Sequence, residues 1–180
     1  MIYIQQFFII IFICFLGLAC ARERPTQSEF SLKERKVFGK PGVTDRTEIE
    51  WILRLLAESI IDENLEPVLI HINEEEGIWV DLKAHWTKKQ FREEWNEKNG
   101  YFQTYFFSTE LLRKQKSNTT SLSVKDILLK SEGFSLDFYF ESKEECEVDI
   151  IFNSSSPLEG DLSNPVFRKI GNRWYLYRLL

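Results

Sequence analysis

Two side chains that could serve as an acid and a base lie close together in the sequence. Asp81 and His85 follow a short apolar segment and are flanked by Trp79 and Trp86. A carboxylate can orient an imidazole and raise its basicity, and histidine is the side chain whose ordinary pKa lies nearest to neutral pH. Asp81 and His85 are therefore the candidate catalytic pair. The alternative is that Asp81 caps a turn and His85 is a surface loop residue.

Aromatic side chains are concentrated in the same part of the chain. Ligand pockets are largely apolar clefts with a few polar groups, so this concentration could line a binding pocket. An aromatic cluster can equally be core packing between helices and sheet. The pocket candidates are Trp79, Trp86, Tyr101 and Tyr105, with Phe106 and Phe107 next to them.

Other kinds of chemistry lack their residues. The sequence has no phosphate-binding loop, dinucleotide fingerprint, H-E-x-x-H or G-x-S-x-G motif, and it contains only two histidines and no C-x-x-C. No metal or cofactor is predicted. Glu145, Glu147 and Asp149 share one face of a predicted strand, which is typical of a solvated face with Arg168 or Arg173 as partners, and less often of a cation site. Cys146 points to the apolar face, where its thiol should be unreactive.

The charge of the chain is unevenly distributed. The net charge is −5 and the isoelectric point about 5.2, which argues against a nucleic-acid partner. Residues 21–46 contain seven Lys/Arg and four Asp/Glu, whereas residues 47–180 contain sixteen and twenty-four. The basic segment is expected to face an anionic lipid surface and the acidic remainder to face away from it, unless the segment is simply a soluble linker.

The N-terminus has the features of an export signal. Phe7 to Ala19 is an apolar run of thirteen residues, shorter than a bilayer span. Its end, Leu16-Gly17-Leu18-Ala19-Cys20, resembles the lipobox of bacterial lipoproteins, which implies a signal peptide over 1–19, a lipid on Cys20 and a lipid-anchored location in the cell envelope. Ala19-Cys20-Ala21 also fits ordinary signal cleavage and secretion, and an uncleaved anchor is a third interpretation.

Helices are predicted in the first half of the remaining chain. Residues 20–46 are predicted to be a flexible tether, because Gly39-Lys40-Pro41-Gly42 interrupts any regular element. Thr47 and Glu50 have capping-box spacing, and an apolar stripe follows to Ile61. A shorter helix is expected from Glu63 to Ile72, then a strand from Ile78 to Leu82. Thr87 and Gln90 form a second capping box, Tyr101 to Phe107 is strand-like, and 108–116 and 123–131 are helical.

Strands are predicted in the last third. Phe134 to Glu141 and Glu145 to Phe152 alternate apolar and polar residues, and Gly171-Asn172 is a hairpin turn between two further strands. On the last strand, Trp174 and Leu176 are predicted to face the core. The order of elements predicts one α+β domain over 47–180, with helices packed on an antiparallel sheet.

This order resembles the NTF2-like domains, also described as cystatin-like cone or SnoaL-type domains. The resemblance rests on the Thr47 to Ile61 helix, the Gly77 to Asp81 strand entry and the final Val166 to Leu176 hairpin. It implies N-terminal helices on a curved antiparallel sheet. It also implies a non-enzymatic ligand-binding or protein-binding module, with a cone-pocket lyase, isomerase or hydrolase as the alternative. SnoaL-type enzymes use acidic and histidine side chains in the cone, which would give that role to Asp81 and His85.

Overall fold

The computed structural model describes residues 32–81, 83–131, 133–152 and 162–179. The described chain contains one sheet and six helical segments. They are α1 (Asp45–Ile61), a 3₁₀ helix (Glu66–His71), α2 (Lys88–Trp95), a π-helix (Phe102–Phe107), α3 (Thr109–Lys116) and α4 (Val124–Lys130). The predicted signal peptide and Cys20 lie outside the described residues. Within the described ranges, no helix is both long and apolar enough to cross a bilayer.

Seven strands of the described chain form one sheet in the order β1-β4-β5-β6-β7-β2-β3. They are β1 (Leu32–Phe38), β2 (Ile78–Val80), β3 (Ala84–Trp86), β4 (Phe134–Phe140), β5 (Glu145–Phe152), β6 (Val166–Ile170) and β7 (Arg173–Arg178). Strands β4 to β7 form an antiparallel meander, β1 joins β4 in parallel, and β2 joins β7 in parallel. The predicted α+β class is confirmed. The prediction of an antiparallel sheet holds only in part, because β1 and β2 each join the sheet in parallel after helical or long connections bring distant segments together.

The core lies between α1 and the sheet. Every apolar residue of the predicted α1 stripe that the structure places there is buried: Ile49, Ile52, Leu53, Leu56 and Ile60. The inward residues of β4 and β5 are buried as their alternation predicts, except Ile150, which is half-buried; Trp174 and Leu176 on β7 are both fully buried. The turn between β6 and β7 contains Gly171 with φ of +64°, as a two-residue hairpin requires.

Of the two predicted capping boxes, one is present and one is not. At α2 the capping box of Thr87 and Gln90 is complete, since Thr87 accepts from the Gln90 N–H and Gln90 accepts from the Thr87 N–H. The box predicted for Thr47 and Glu50 is wrong, because the N-cap of α1 is Thr44, three residues before Thr47. The buried Asp45 carboxylate fixes that earlier start by accepting the Gly42 N–H at 2.6 Å.

The tether boundary differs from the sequence analysis. Residues Leu32–Phe38, expected in the flexible tether, form β1 and pair with β4. The alternation signal is weak there because β1 lies at the sheet edge and carries mostly charged residues. Arg35 instead attaches the strand through two hydrogen bonds to the buried Asp137 on β4, at 2.8 and 2.6 Å. The Arg35 guanidinium lowers the pKa of Asp137 below its ordinary value.

Two further segments differ in type. Tyr101 to Phe107 was predicted to be a strand but forms the π-helix, because helical spacing packs Phe102 against Phe106, with ring centroids 5.0 Å apart. Its adjacent polar residues Gln103 and Thr104 already break the alternation that a strand needs. The predicted helix from Glu63 is reduced to the 3₁₀ turn Glu66–His71, which has Pro67 in its first turn.

Candidate functional site

The candidate catalytic residues lie on the β2–β3 hairpin but do not contact each other. His85 Nε2 is 2.6 Å from the Glu76 carbonyl oxygen. Asp81 is exposed at the turn with φ of +51°. Its carboxylate is close to Tyr101, whose pKa is raised first by burial and then by Asp81. Within the described chain, no hydrogen bond or ion pair joins Asp81 to His85, so the geometry does not form a carboxylate–histidine pair.

The four pocket candidates are divided between the two faces of the hairpin. Trp79 is paired with His85, whereas Trp86 is paired with the buried Ile78, so the two indoles point to opposite faces. Trp86 packs edge-on against Tyr101, at 5.8 Å, and Tyr101 stacks on Tyr105 at 4.7 Å. The inner rings therefore pack on one another beside Phe102 and Phe106, as a core cluster does.

Trp79 belongs to the other side of the sheet, which we call the open face because the helices pack on the opposite side. Its indole Nε1 donates to the Tyr177 hydroxyl at 3.2 Å. The Arg168 guanidinium carbon lies 3.6 Å from the centroid of the Tyr177 ring, a close cation–π contact. Trp79 also contacts His85, with ring centroids 4.9 Å apart. These side-chain contacts link residues of four neighbouring strands, β6, β7, β2 and β3.

Arg168 is held in place by two carboxylates. Its guanidinium donates to Glu76 at 2.9 Å and to Glu145 at 3.2 Å. Its side chain is 31% exposed, so its ion pairs are partly shielded from water. We call the residues in this set the open-face row: Glu145, Arg168, Tyr177, Trp79 and His85. The row runs across five strands, from β5 to β3.

A surface cleft of about 440 Å³ lies at the end of the row formed by Glu145 and Arg168. Its wall is mainly polar and includes Glu76, Glu145 and Arg168 of the arrangement above. The remaining lining comes from the β4–β5 turn and the end of β6, namely Ser142, Glu144, Lys169, Ile170 and Gly171. The cleft is thus a polar surface feature and differs from the apolar pocket predicted by the sequence.

The acidic strand β5 forms ion pairs with its neighbours. Glu145 pairs with Arg168, as predicted, and Glu147 pairs with Arg178 at 3.3 Å in place of the predicted Arg173. Within the described residues, no group of three or more His, Cys, Asp or Glu side chains is placed to hold a metal ion. Cys146 is fully buried on the opposite face, and burial raises the pKa of its thiol to about 12, which keeps it protonated.

The sequence analysis did not identify His71, a buried titratable residue. It is 4% exposed, at the end of the 3₁₀ helix, and neither ring nitrogen has a hydrogen-bond partner of normal geometry among the described residues. The half-exposed Trp51 covers it edge-on at 5.0 Å. Burial lowers the pKa of His71, and the positive charge of Arg173 lowers it further. The Trp174 backbone and Glu48 oppose these two effects on the pKa, and Lys88 adds the smallest lowering.

This burial predicts an acid-sensitive fold. Because the pKa of His71 is lower in the folded than in the unfolded chain, unfolding takes up a proton as the pH falls. The stability is therefore full above the unfolded pKa of about 6.5 and decreases below it, by at most about 1.4 kcal/mol per pH unit. Urea unfolding at pH 7.5 and 5.5 should show a smaller difference in His71→Phe than in the wild type. A difference between the two pH values in His71→Phe as large as that in the wild type would contradict the assignment.

The alternation of β6 and β7 could have revealed part of the open-face row. Arg168 alternates with the buried Phe167, and Tyr177 alternates with the buried Leu176, so both face away from the core. The contact of Tyr177 with Trp79 could not be inferred, because the two residues are 98 apart in the chain and β2 joins β7 only in the folded sheet.

Comparison with known proteins gives no relative for this chain: no family model, curated protein or solved structure matches it.

Proposed function

We propose that this protein is a lipid-anchored, non-enzymatic binding module of the bacterial cell envelope that recognises a protein partner through its open face. The observation that carries the proposal is the open-face row. On the open face, the Tyr177 side chain contacts an arginine, Arg168, and a tryptophan, Trp79. These three residue types are the ones most enriched among the residues that dominate protein–protein binding energies.

The row is pre-organised for binding. Arg168 is fixed by Glu76 and Glu145 on one side and by the Tyr177 ring on the other, so little side-chain freedom is left to lose on association. Arg168, Tyr177 and Trp79 are all half-buried, which leaves part of each surface to contact a partner. Polar and charged groups at both ends suit a polar rim around a more apolar centre.

A catalytic role is less well supported by the geometry. The alternative, a cone-pocket enzyme, relied on Asp81 and His85 acting together. His85 is instead next to the Glu76 carbonyl, and Asp81 lies near Tyr101. The inner aromatic rings that were expected to line an apolar pocket pack on one another. A binding role needs neither a reactive pair nor an empty apolar cavity.

The proposal includes an NTF2-like cone as the form of the domain. Its support is the packing of α1 on β7, together with the final β6–β7 hairpin. The lipid anchor is supported by the Leu16 to Cys20 segment of the sequence. Its direct test is labelled palmitate, which should enter the wild-type chain and be absent from Cys20→Ser.

Site-specific photo-crosslinking in bacterial cells that make the protein tests the binding role. A photoreactive amino acid replaces Tyr175, a half-buried residue of β7 on the open face outside the row. The control position is Leu129, which is 56% exposed on α4. We expect a discrete crosslinked product from position 175 and none of the same size from position 129.

A second substitution shows whether the row is responsible for that product. Adding Arg168→Ala should reduce it about tenfold or more, as expected for a central binding residue worth at least about 1.4 kcal/mol. Arg92→Ala is the matched control, because Arg92 also pairs with a glutamate, Glu66, but on the helical side at half exposure. If the product forms equally in both variants, or forms from position 129 alone, the open face is not the binding surface.

A further inference from the structure

The strand β1 is an edge of the sheet with a strongly basic composition. It pairs with β4 on one side only within the described chain. Residues 32–46, which include β1 and the loop to α1, contain five Lys/Arg and two Asp/Glu, a net charge of +3. Arg35 and Arg46 are in ion pairs with Asp137 and Glu34. The lysines Lys33, Lys36 and Lys40 are exposed and have no ion pair within the described residues.

The opposite edge of the sheet has the reverse charge. Strand β3 is the last strand in the order, and β2, β3 and α2 are adjacent in the chain. Residues 74–97, which contain these elements, carry seven Asp/Glu and four Lys/Arg, a net charge of −3. The domain is therefore polarised along the sheet. An anionic surface would attract the β1 edge and repel the β3 edge.

Apolar side chains accompany the lysines at the basic edge. Val43 is 97% exposed and Phe38 is 44% exposed, with Lys40 between them. Basic residues beside exposed apolar ones are the combination that binds the interface of an anionic bilayer, where lysines meet headgroups and apolar side chains enter the acyl boundary. Leu32 is twelve residues from Cys20, so an extended chain places β1 within about 40 Å of a lipid at Cys20.

We propose that the β1 edge, with residues 39–43, lies against anionic phospholipid headgroups and that the β3 edge points away from the membrane. This inference rests on the proposed lipid anchor and adds the orientation of the domain. In this orientation β1 is the strand nearest the membrane. The open-face row lies farther from the membrane, because it begins at β5 and ends at β3.

Depth-dependent fluorescence quenching tests the orientation. The full chain is produced in bacteria, purified and reconstituted into vesicles that contain phosphatidylglycerol and lipids with a nitroxide in the headgroup region. A fluorescent amino acid replaces Val43 or, as the matched control, Glu97, an exposed residue of the acidic edge. We expect strong quenching at position 43 and weak quenching at position 97.

Charge substitutions and changes in lipid composition test whether the lysines cause the docking. Each lysine near an anionic surface raises the equilibrium constant for docking about fivefold. Replacing all three lysines (Lys33→Gln, Lys36→Gln and Lys40→Gln) should therefore lower this equilibrium constant roughly a hundredfold. Quenching at position 43 should fall in this triple variant and in phosphatidylcholine vesicles. Lys83→Gln, Lys88→Gln and Lys89→Gln, three lysines of the acidic edge, should leave it unchanged.

The outcomes separate this inference from the lipid anchor. If palmitate is incorporated but positions 43 and 97 are quenched equally, the orientation is wrong while the anchor is correct. If palmitate is absent and position 43 is still selectively quenched with phosphatidylglycerol, the β1 edge binds lipid by itself and only the anchor fails. If neither palmitate nor selective quenching is found, both proposals are overturned.

Discussion

Replacing Trp174 with alanine should destabilise the domain by about 3 to 5 kcal/mol, as expected for truncation of a fully buried tryptophan. Trp174 is 0% exposed on β7, and its ring packs edge-on against Phe140 of β4. Its indole Nε1 donates to Asp45 at 3.1 Å, so it also connects the sheet to the first turn of α1. A loss of this size is comparable to the whole stability of many domains. Urea unfolding followed by circular dichroism measures it.

A matched substitution separates packing from hydrogen bonding at the same site. Trp174→Phe retains most of the apolar surface and removes the indole N–H, so we expect a loss of about 1 to 3 kcal/mol, intermediate between the wild type and alanine. Trp51→Ala is the control on α1, because Trp51 is 50% exposed and should cost clearly less. A Trp174→Ala loss under about 1 kcal/mol would contradict the buried position on β7.

Replacing Asp45 with alanine should cost about 2 to 4 kcal/mol, because it removes three hydrogen bonds to one buried carboxylate. Asp45 is 3% exposed and accepts from the Trp174 indole, the Lys169 ammonium at 2.8 Å and the Gly42 N–H. Its loss leaves the indole N–H buried without a partner. Denaturant unfolding at pH 7 measures the change. Asp62→Ala, at the exposed C-terminal end of the same helix, should change stability by less than about 0.5 kcal/mol.

The pH dependence gives an independent test of the Asp45 assignment. Burial alone would raise the pKa of Asp45, but hydrogen bonds from Lys169, Trp174 and Gly42 outweigh it and lower the pKa below its ordinary value. The contribution of Asp45 is therefore present above the unfolded pKa of about 3.9 and is lost as the pH falls through the lower folded value. The difference between wild type and Asp45→Ala should shrink from pH 6 to pH 3. A constant difference would mean that the carboxylate charge is not involved.

The Asp45 contacts also distinguish the two faces of the sheet. On the inner face, α1 is attached to β6 and β7 through Lys169 and Trp174, so side chains there are committed to the core. On the open face, Arg168 and Tyr177 of the same two strands contact each other at partial exposure. A substitution on the open face can therefore alter binding with little effect on folding, which makes the proposed interface testable.

The local sequence determined those elements whose signal is periodic or stereochemical. The apolar stripe of α1, the capping box of Thr87 and Gln90, the alternation of β4 to β7 and the Gly171-Asn172 turn all arise from interactions within a few residues. Each element is present as predicted, although the alternation has two exceptions, the half-buried Ile150 and the buried Asp137. The burial of Trp174 follows from the same alternation, since a strand with one buried face fixes which residues point inward.

The tertiary structure decided the features that depend on residues distant in the chain. Strand β1 is stabilised at the sheet edge by an ion pair between Arg35 and Asp137, 102 residues apart, and local periodicity carries no signal of such a pair. The open-face row likewise forms only when β2 joins β7 and brings Trp79 to Tyr177. Asp81 and His85, although close in sequence, are kept apart because the β2–β3 hairpin directs His85 toward Glu76 and leaves Asp81 at the turn. Sequence proximity fixes which residues share a hairpin, whereas strand pairing fixes which side chains meet.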